Sequence, residues 1–332
     1  MLSTGKTRKV PKTLFLMSKR VNFVDVAKGI AMLMVVRIHT EVFGEINAPY
    51  PIIAVPLFFF LSGFYDKSNR PFKEWFAKTF RSLIMTAIIW IVIKTLYLGV
   101  LSFIKDGSYP HSAISFIGSF KPGVMWFLFA LFYAKIGMWI AYKTKLPDYI
   151  LFPLSMFLGA IVYKTNLPLL LDEGIAALPF YYLGKICYPY IKNDSYYLKW
   201  FAIIGVLCLI PMSMSWFPTL LVPVSSWISL YMYPVYFFMV VFSFATVIWL
   251  SKKLENQKWL SNYGTQTLGI LVLHPLMLHT IAIVLNRTFE KGSTPWIIIF
   301  LVAFAIVCII SYYLSLLISK YCPILLGISR KK

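Results

Sequence analysis

Long apolar runs separated by short polar segments recur along almost the whole chain. Ten of them, at 24–44, 49–65, 82–104, 123–142, 148–163, 173–191, 198–213, 228–250, 266–286 and 295–319, approach the roughly 20 residues that a helix needs to cross about 30 Å of hydrocarbon. The pattern predicts an all-α polytopic membrane protein, about ten transmembrane helices in a single bundle. The second, fifth and seventh runs are short and are expected to be tilted or broken. No repeat period and no soluble accessory domain is visible, so the expected organisation is a basic tail (1–22), one membrane domain (23–320) and a second basic tail (321–332). The first 20 residues hold only a small apolar patch, TLFLM, which is too short for a signal-peptide core. The first span itself is therefore expected to direct insertion.

Composition excludes a soluble globule. The 332 residues are 59% hydrophobic, 18% aromatic and only 13% charged, with a mean hydropathy of +0.75, far from the mix of ordinary soluble domains. Charge then sets the expected orientation, because cytoplasmic loops hold an excess of Lys and Arg. Ten spans put both termini on one side, and that side holds 23 of the 32 basic residues. The opposite loops hold Lys105, Lys121, Lys164, Arg287 and Lys291, while Lys28, Arg37, Lys94 and Lys135 fall within spans. Both termini are expected to be cytoplasmic, and the net charge of +20 is read as a topology signal. The basic residues are scattered over short loops, which argues against nucleic acid as a partner. Cys187, Cys208, Cys308 and Cys322 lie without close pairing in or beside apolar segments, a spacing that indicates neither a zinc site nor a disulfide framework.

Ionisable groups inside a bilayer are rare and usually functional, which singles out Lys28 and His39 in the first run, VDVAKGIAMLMVVRIHTEVF. Eleven helical steps bring two residues back to within about 20° of one face, with roughly 16 Å of rise between them. One cation is thus expected near the inner membrane edge and one imidazole deep within. The bland readings are a lysine that snorkels to water and an interfacial histidine bonded to a neighbouring helix. Glu41 lies about 160° from the His39 direction, and Arg37 can pair with it at i, i+4. Asp25 is at the wrong depth to touch His39 and is expected to pair with Lys28 or act as a cap.

Several separated motifs then carry a resemblance: NFVDVAKGIAMLMVVRIHT, VPLFFFLSGF, PGVMWFLFALF, YYLGK and YGTQTLGILVLHPL. In this order and over nearly all of the chain, they resemble the acyltransferase 3 family of integral membrane O-acyltransferases. Family members typically carry an Arg ahead of the catalytic His, and Lys28 stands in that place, keeping the charge. A pair of arginines three apart often follows the second span, and here Lys78 and Arg81 in AKTFRSL occupy it. The resemblance implies acyl transfer from a cytoplasmic acyl-CoA, with acetyl the leading group, to a hydroxyl of a cell-surface or lipid-linked saccharide at the bacterial inner membrane.

Elementary chemistry is compatible with that implication. A donor bearing several phosphates needs cations at the inner edge, where Lys28, Lys78 and Arg81 are expected; positive-inside anchoring is the alternative reading of the last two. A neutral imidazole with an ordinary pKa near 6.5 can take the proton of an attacking hydroxyl, so His39 is expected to be the general base, and a covalent acyl-imidazole is the lesser role. One of Lys135 and Lys94 is expected to line the donor channel. Trp126 and Phe127 are candidates for the acceptor mouth or for an interfacial aromatic belt. His274, followed by Pro275, either shares a cavity with His39 on the acceptor side or packs against a carbonyl near the proline; His111 and His279 are weaker candidates. Ser62 and Gly63 lack the G-x-S-x-G nucleophile pattern and are read as a close helix crossing and a helix end. A transporter or flippase for a lipid-linked saccharide, or a structural subunit of an export complex, remains the alternative. A transporter would move its substrate unmodified, whereas the enzyme would leave an ester.

Overall fold

The computed structural model describes residues 22–40, 50–106, 123–162, 167–193, 196–213, 228–290 and 293–328. Among them the regular structure is entirely helical: α1 Asn22–Ile38, α2 Tyr50–Gly63, α3 Phe72–Phe80, α4 Thr86–Asp106, α5 Trp126–Thr144, α6 Asp148–Val162, α7 Leu171–Lys192, α8 Tyr197–Ser213, α9 Ile228–Lys253, α10 Lys258–Thr265, α11 Thr267–Thr288 and α12 Thr294–Tyr321. A π-helical turn, Arg81–Met85, joins α3 to α4 without a break.

Each of the ten apolar runs becomes a helix, but ten full-length spans are not found. Five helices among the described residues are long and apolar enough to cross a membrane: Phe72–Leu101, Gly123–Thr144, Tyr233–Lys253, Thr267–Leu285 and Thr294–Tyr321. Ile53–Gly63, Asp148–Val162 and Tyr197–Met212 are apolar but shorter, and they are the second, fifth and seventh runs. The first run also stops early. α1 ends at Ile38, where the His39 N–H bonds the Val36 carbonyl at 3.2 Å and the Thr40 N–H bonds that of Arg37 at 3.1 Å. These tighter bonds close the helix, and the Thr40 hydroxyl also occupies the Arg37 carbonyl at 2.6 Å. His39 is therefore the first residue beyond the helix, not a residue within it. Glu41 and His111 lie outside the described residues.

Polarity is arranged as a bilayer requires. The outward face of α12 exposes Ile298, Val302, Ile306, Ile309 and Leu317, a stripe that water would not tolerate as a monomer surface. Buried hydroxyls instead return to their own helix backbone, as Ser251 does to the Val247 carbonyl at 2.7 Å and Ser243 to that of Met239 at 2.9 Å. This satisfies them without a solvent partner. Interior prolines, Pro56, Pro153, Pro179, Pro189, Pro211, Pro234 and Pro275, are in keeping with the tolerance of membrane helices for that residue.

α1 is the central helix, packed against α2, α9, α10, α11 and α12, with ten of its residues buried. Two backbone-to-backbone crossings hold the frame. α2 meets α7 where Gly63 lies on the Tyr181 carbonyl and Gly184 on the Phe60 carbonyl; α1 meets α10 where Gly29 and Gly264 face each other and Gly264 touches the Asp25 carbonyl. The glycines of the SGF, YYLGK and YGT motifs are thus the close-packing positions, and α2 ends at the first of them. The segment after α12 folds back: Pro323–Leu326 forms a 3-10 turn with Pro323 and Leu326 buried, and the Trp90 indole N–H donates to the Leu325 carbonyl at 2.7 Å.

Candidate functional site

Lys28, Met32, Val35 and His39 follow one another at steps of four, three and four, so they form one stripe along α1. That stripe is a wall of a cavity of ≈ 540 Å³, within the about 300–1,000 Å³ usual for small-molecule sites. α2 contributes Val55, Phe58 and Ser62, again one helical stripe, and the opposite walls carry Leu83, Lys94, Gly123, Trp126 and Leu131. Leu268, Leu271 and Pro275 of α11 close the remaining side. The lining is apolar apart from a few polar groups, with a cation at the start of the α1 stripe and an imidazole at its end.

The His39 tautomer follows from its partners. Its Nδ1 lies 2.8 Å from the Val35 carbonyl, and a carbonyl only accepts, so Nδ1 carries the proton. Nε2 is left with the lone pair, on a residue that is exposed and lines the cavity. His274 stands behind it. Its own Nδ1 donates to the Ile270 carbonyl at 2.8 Å, which leaves the His274 Nε2 as an acceptor 3.4 Å from the His39 Nδ1. The rings meet edge to face with centroids 4.9 Å apart. Both imidazoles are therefore held as Nδ1–H tautomers, and His39 presents a basic nitrogen.

His274, a candidate for acceptor contact, is fully buried and does not line the cavity; it reaches the site through His39. The Ile270 carbonyl that orients it is one residue from Leu271, whose carbonyl Pro275 leaves without the usual N–H partner.

Trp126 and Phe127 line the cavity, and the Phe127 ring is packed 4.8 Å from Phe59 and 5.9 Å from Phe58. Of the two deep lysines, Lys94 lines the cavity and Lys135 is held elsewhere. The Lys135 ammonium donates to the Tyr181 hydroxyl at 3.1 Å, and that hydroxyl donates to Asp66 Oδ1 at 2.9 Å. Asp66 also accepts from the Ser68 hydroxyl at 2.7 Å and the Ser68 N–H at 3.2 Å. This network ties the end of α2 to α5 and α7. Asp66 stands two residues after the SGF motif, and Tyr181 stands inside YYLGK.

At the Lys28 end the electrostatics are strongly positive. The Lys28 ammonium sits 5.4 Å above the Tyr65 ring. Lys78 and Arg81 are exposed on α3 and the π turn and do not line the cavity, but they belong to a crowd of cations with Lys67 and Arg70. Partial burial, then the Arg70 and Lys78 charges, push the Lys67 ammonium below its ordinary pKa, the behaviour of a cation among cations. A second cavity, ≈ 430 Å³, is lined by Lys143, Lys145, Lys185, Asp148 and Tyr182 among others and contains no histidine. Among the described residues no group of His, Cys, Asp and Glu is placed to hold a metal.

No curated protein and no solved structure matches the chain. A family model described as an acyltransferase domain matches residues 21–316, which takes in every helix of the histidine cavity, and the chain accordingly belongs to the acyltransferase 3 family of integral membrane acyltransferases.

Proposed function

We propose that the protein moves an acyl group, with acetyl the leading candidate, from cytoplasmic acyl-CoA to a hydroxyl of a cell-surface or lipid-linked saccharide, with His39 as general base. The observation that carries this reading is a single cavity with a cation at one end of the α1 stripe and an imidazole of fixed tautomer at the other. The proposed orientation is cytoplasmic at the Lys28 end. There Lys28 meets the donor phosphates, and the exposed Lys78 and Arg81 raise the local concentration of a polyanion. Lys135 contributes by holding the Asp66 network at that end. The pantetheine arm runs along the Met32 and Val35 wall, and the acceptor enters past Trp126.

The His39 Nε2 takes the proton of the acceptor hydroxyl while that oxygen bonds to the thioester carbon. Collapse of the tetrahedral intermediate expels the CoA sulfur as thiolate, which the imidazolium protonates. As His39 becomes cationic its Nδ1–H bonds to the Val35 carbonyl and the His274 Nε2 strengthen, since charge-assisted hydrogen bonds are roughly twice as strong as neutral ones. His274 is thus a positioning residue. His274→Phe, which fills the space without the acceptor, is expected to lower kcat about tenfold with KM for acetyl-CoA unchanged, because Val35 alone still fixes the tautomer. Lys28→Met is expected to do the reverse. It raises KM for acyl-CoA about tenfold, the value of one charge-assisted contact, and leaves kcat nearly intact.

The test is purified protein in nanodiscs with radiolabelled acetyl-CoA and a membrane saccharide pool. Alkali-labile label on the saccharide is the expected result. If acetyl-CoA neither binds nor turns over, and vesicles instead move a lipid-linked saccharide unmodified, the transporter reading replaces this one.

A further inference from the structure

Lys94 is a second cation inside the apolar bundle, and neither Lys28 nor His39 accounts for its presence. It sits in the α4 part of the helix Phe72–Leu101, one of the five long enough to cross the membrane, where an ionisable side chain is costly unless it serves a site. Its ammonium lies directly over Gly123: a Cβ at that position would overlap the Lys94 Nζ. Gly123 also has a positive φ of 58°, a conformation that glycine adopts without strain. Both Lys94 and Gly123 line the cavity with His39. The arrangement brings an ammonium, a backbone without a side chain, and a base together in an apolar space.

We infer that Lys94 and the bare backbone at Gly123 form the oxyanion site of the reaction. This rests on the acyl-transfer reading given above. When the acceptor oxygen bonds to the thioester carbon, the carbonyl π pair moves onto the carbonyl oxygen, which becomes an alkoxide. The Lys94 ammonium donates a hydrogen bond to that oxygen and keeps its proton. The carbonyl re-forms as the carbon–sulfur bond breaks, and the thiolate takes the proton held on His39. A fixed charge aimed at developing negative charge is worth most in a dry, preorganised site. Lys94 thereby differs from Lys28: it acts on the transition state, whereas Lys28 acts on the bound donor equally in both states.

The experiment compares wild type, Lys94→Met, Lys94→Arg, Gly123→Ala and the Gly123→Ala/Lys94→Met double variant in nanodiscs, reading kcat for label transfer and, separately, acetyl-CoA affinity at equilibrium. Lys94→Met is expected to lose about 10²–10³-fold in kcat with affinity within about threefold, and Lys94→Arg to recover part of the loss. Gly123→Ala crowds the ammonium and is expected to lower kcat more in the wild-type background than in Lys94→Met, where only the backbone strain at its positive φ remains. Unchanged kcat in Lys94→Met, a parallel loss of acetyl-CoA affinity, or fully additive effects would each overturn the assignment. If Lys94→Met does not fold, Lys94→Arg and Gly123→Ala decide it, since normal kcat in Gly123→Ala contradicts the proposal. Wild type without turnover would instead count against acyl transfer itself, so the two failures are distinct.

Discussion

Replacing His39 by alanine is expected to abolish measurable transfer while leaving acetyl-CoA binding in place. The expected loss is about 10²–10⁴-fold in kcat, the contribution of a positioned general base. His39 lies past the end of α1, it is exposed, and its side chain meets the Val35 carbonyl and the His274 ring. The variant removes no core side chain but takes the donor from the buried His274 Nε2, so its stability is expected to fall by about 1–3 kcal/mol. In the proposed reading the donor phosphates meet Lys28, about three turns away along the helix, so equilibrium binding of acetyl-CoA is expected to be unaffected. Parallel measurements of turnover and binding separate a missing base from a misfolded protein. Equal turnover in the variant would transfer the role to another group.

Gly184→Ala is expected to damage the fold severely. An added methyl would overlap the Phe60 carbonyl oxygen and press on the Phe60 Cα at 3.1 Å, so two helix backbones would have to separate. Overpacking of that kind costs about 3 kcal/mol or more. The consequence reaches the site, because α2 carries Val55, Phe58 and Ser62 of the cavity wall. Thermal unfolding in detergent should show a large fall in Tm and lower acetyl-CoA affinity. Gly137→Ala is the control: its added Cβ would meet only Leu178 side-chain carbons at 3.1 Å, which can give way, and the expected cost is under about 1 kcal/mol.

Much of this architecture was readable from the order of residues. Apolar length alone locates all ten hydrophobic helices and picks out the three short ones, because hydrocarbon thickness sets a length that composition must satisfy. Among the described residues five of these helices are long and apolar enough to be full spans. Helix ends depend on local closures such as the Thr40 hydroxyl on the Arg37 carbonyl, which hydropathy does not register. For the site, the eleven-residue spacing of Lys28 and His39 is a helical-face statement, and both do line one cavity. Nothing in the sequence says which of two deep lysines faces that cavity, since the faces of α4 and α5 are apolar all round. The contact between His39 and His274 joins residues 235 positions apart, and pairing across helices has no periodic signature. The Lys135–Tyr181–Asp66 network is of the same kind.

Donor and base are expected to share the α1 cavity. The most direct measurement is an electron cryo-microscopy structure in nanodiscs with a non-hydrolysable thioether analogue of acetyl-CoA. Phosphate density is expected at Lys28, the pantetheine along Met32 and Val35, and the acyl carbonyl beside the His39 Nε2. Density for the nucleotide in the Lys143, Lys145 and Lys185 cavity, with the acyl group remote from His39, would contradict it.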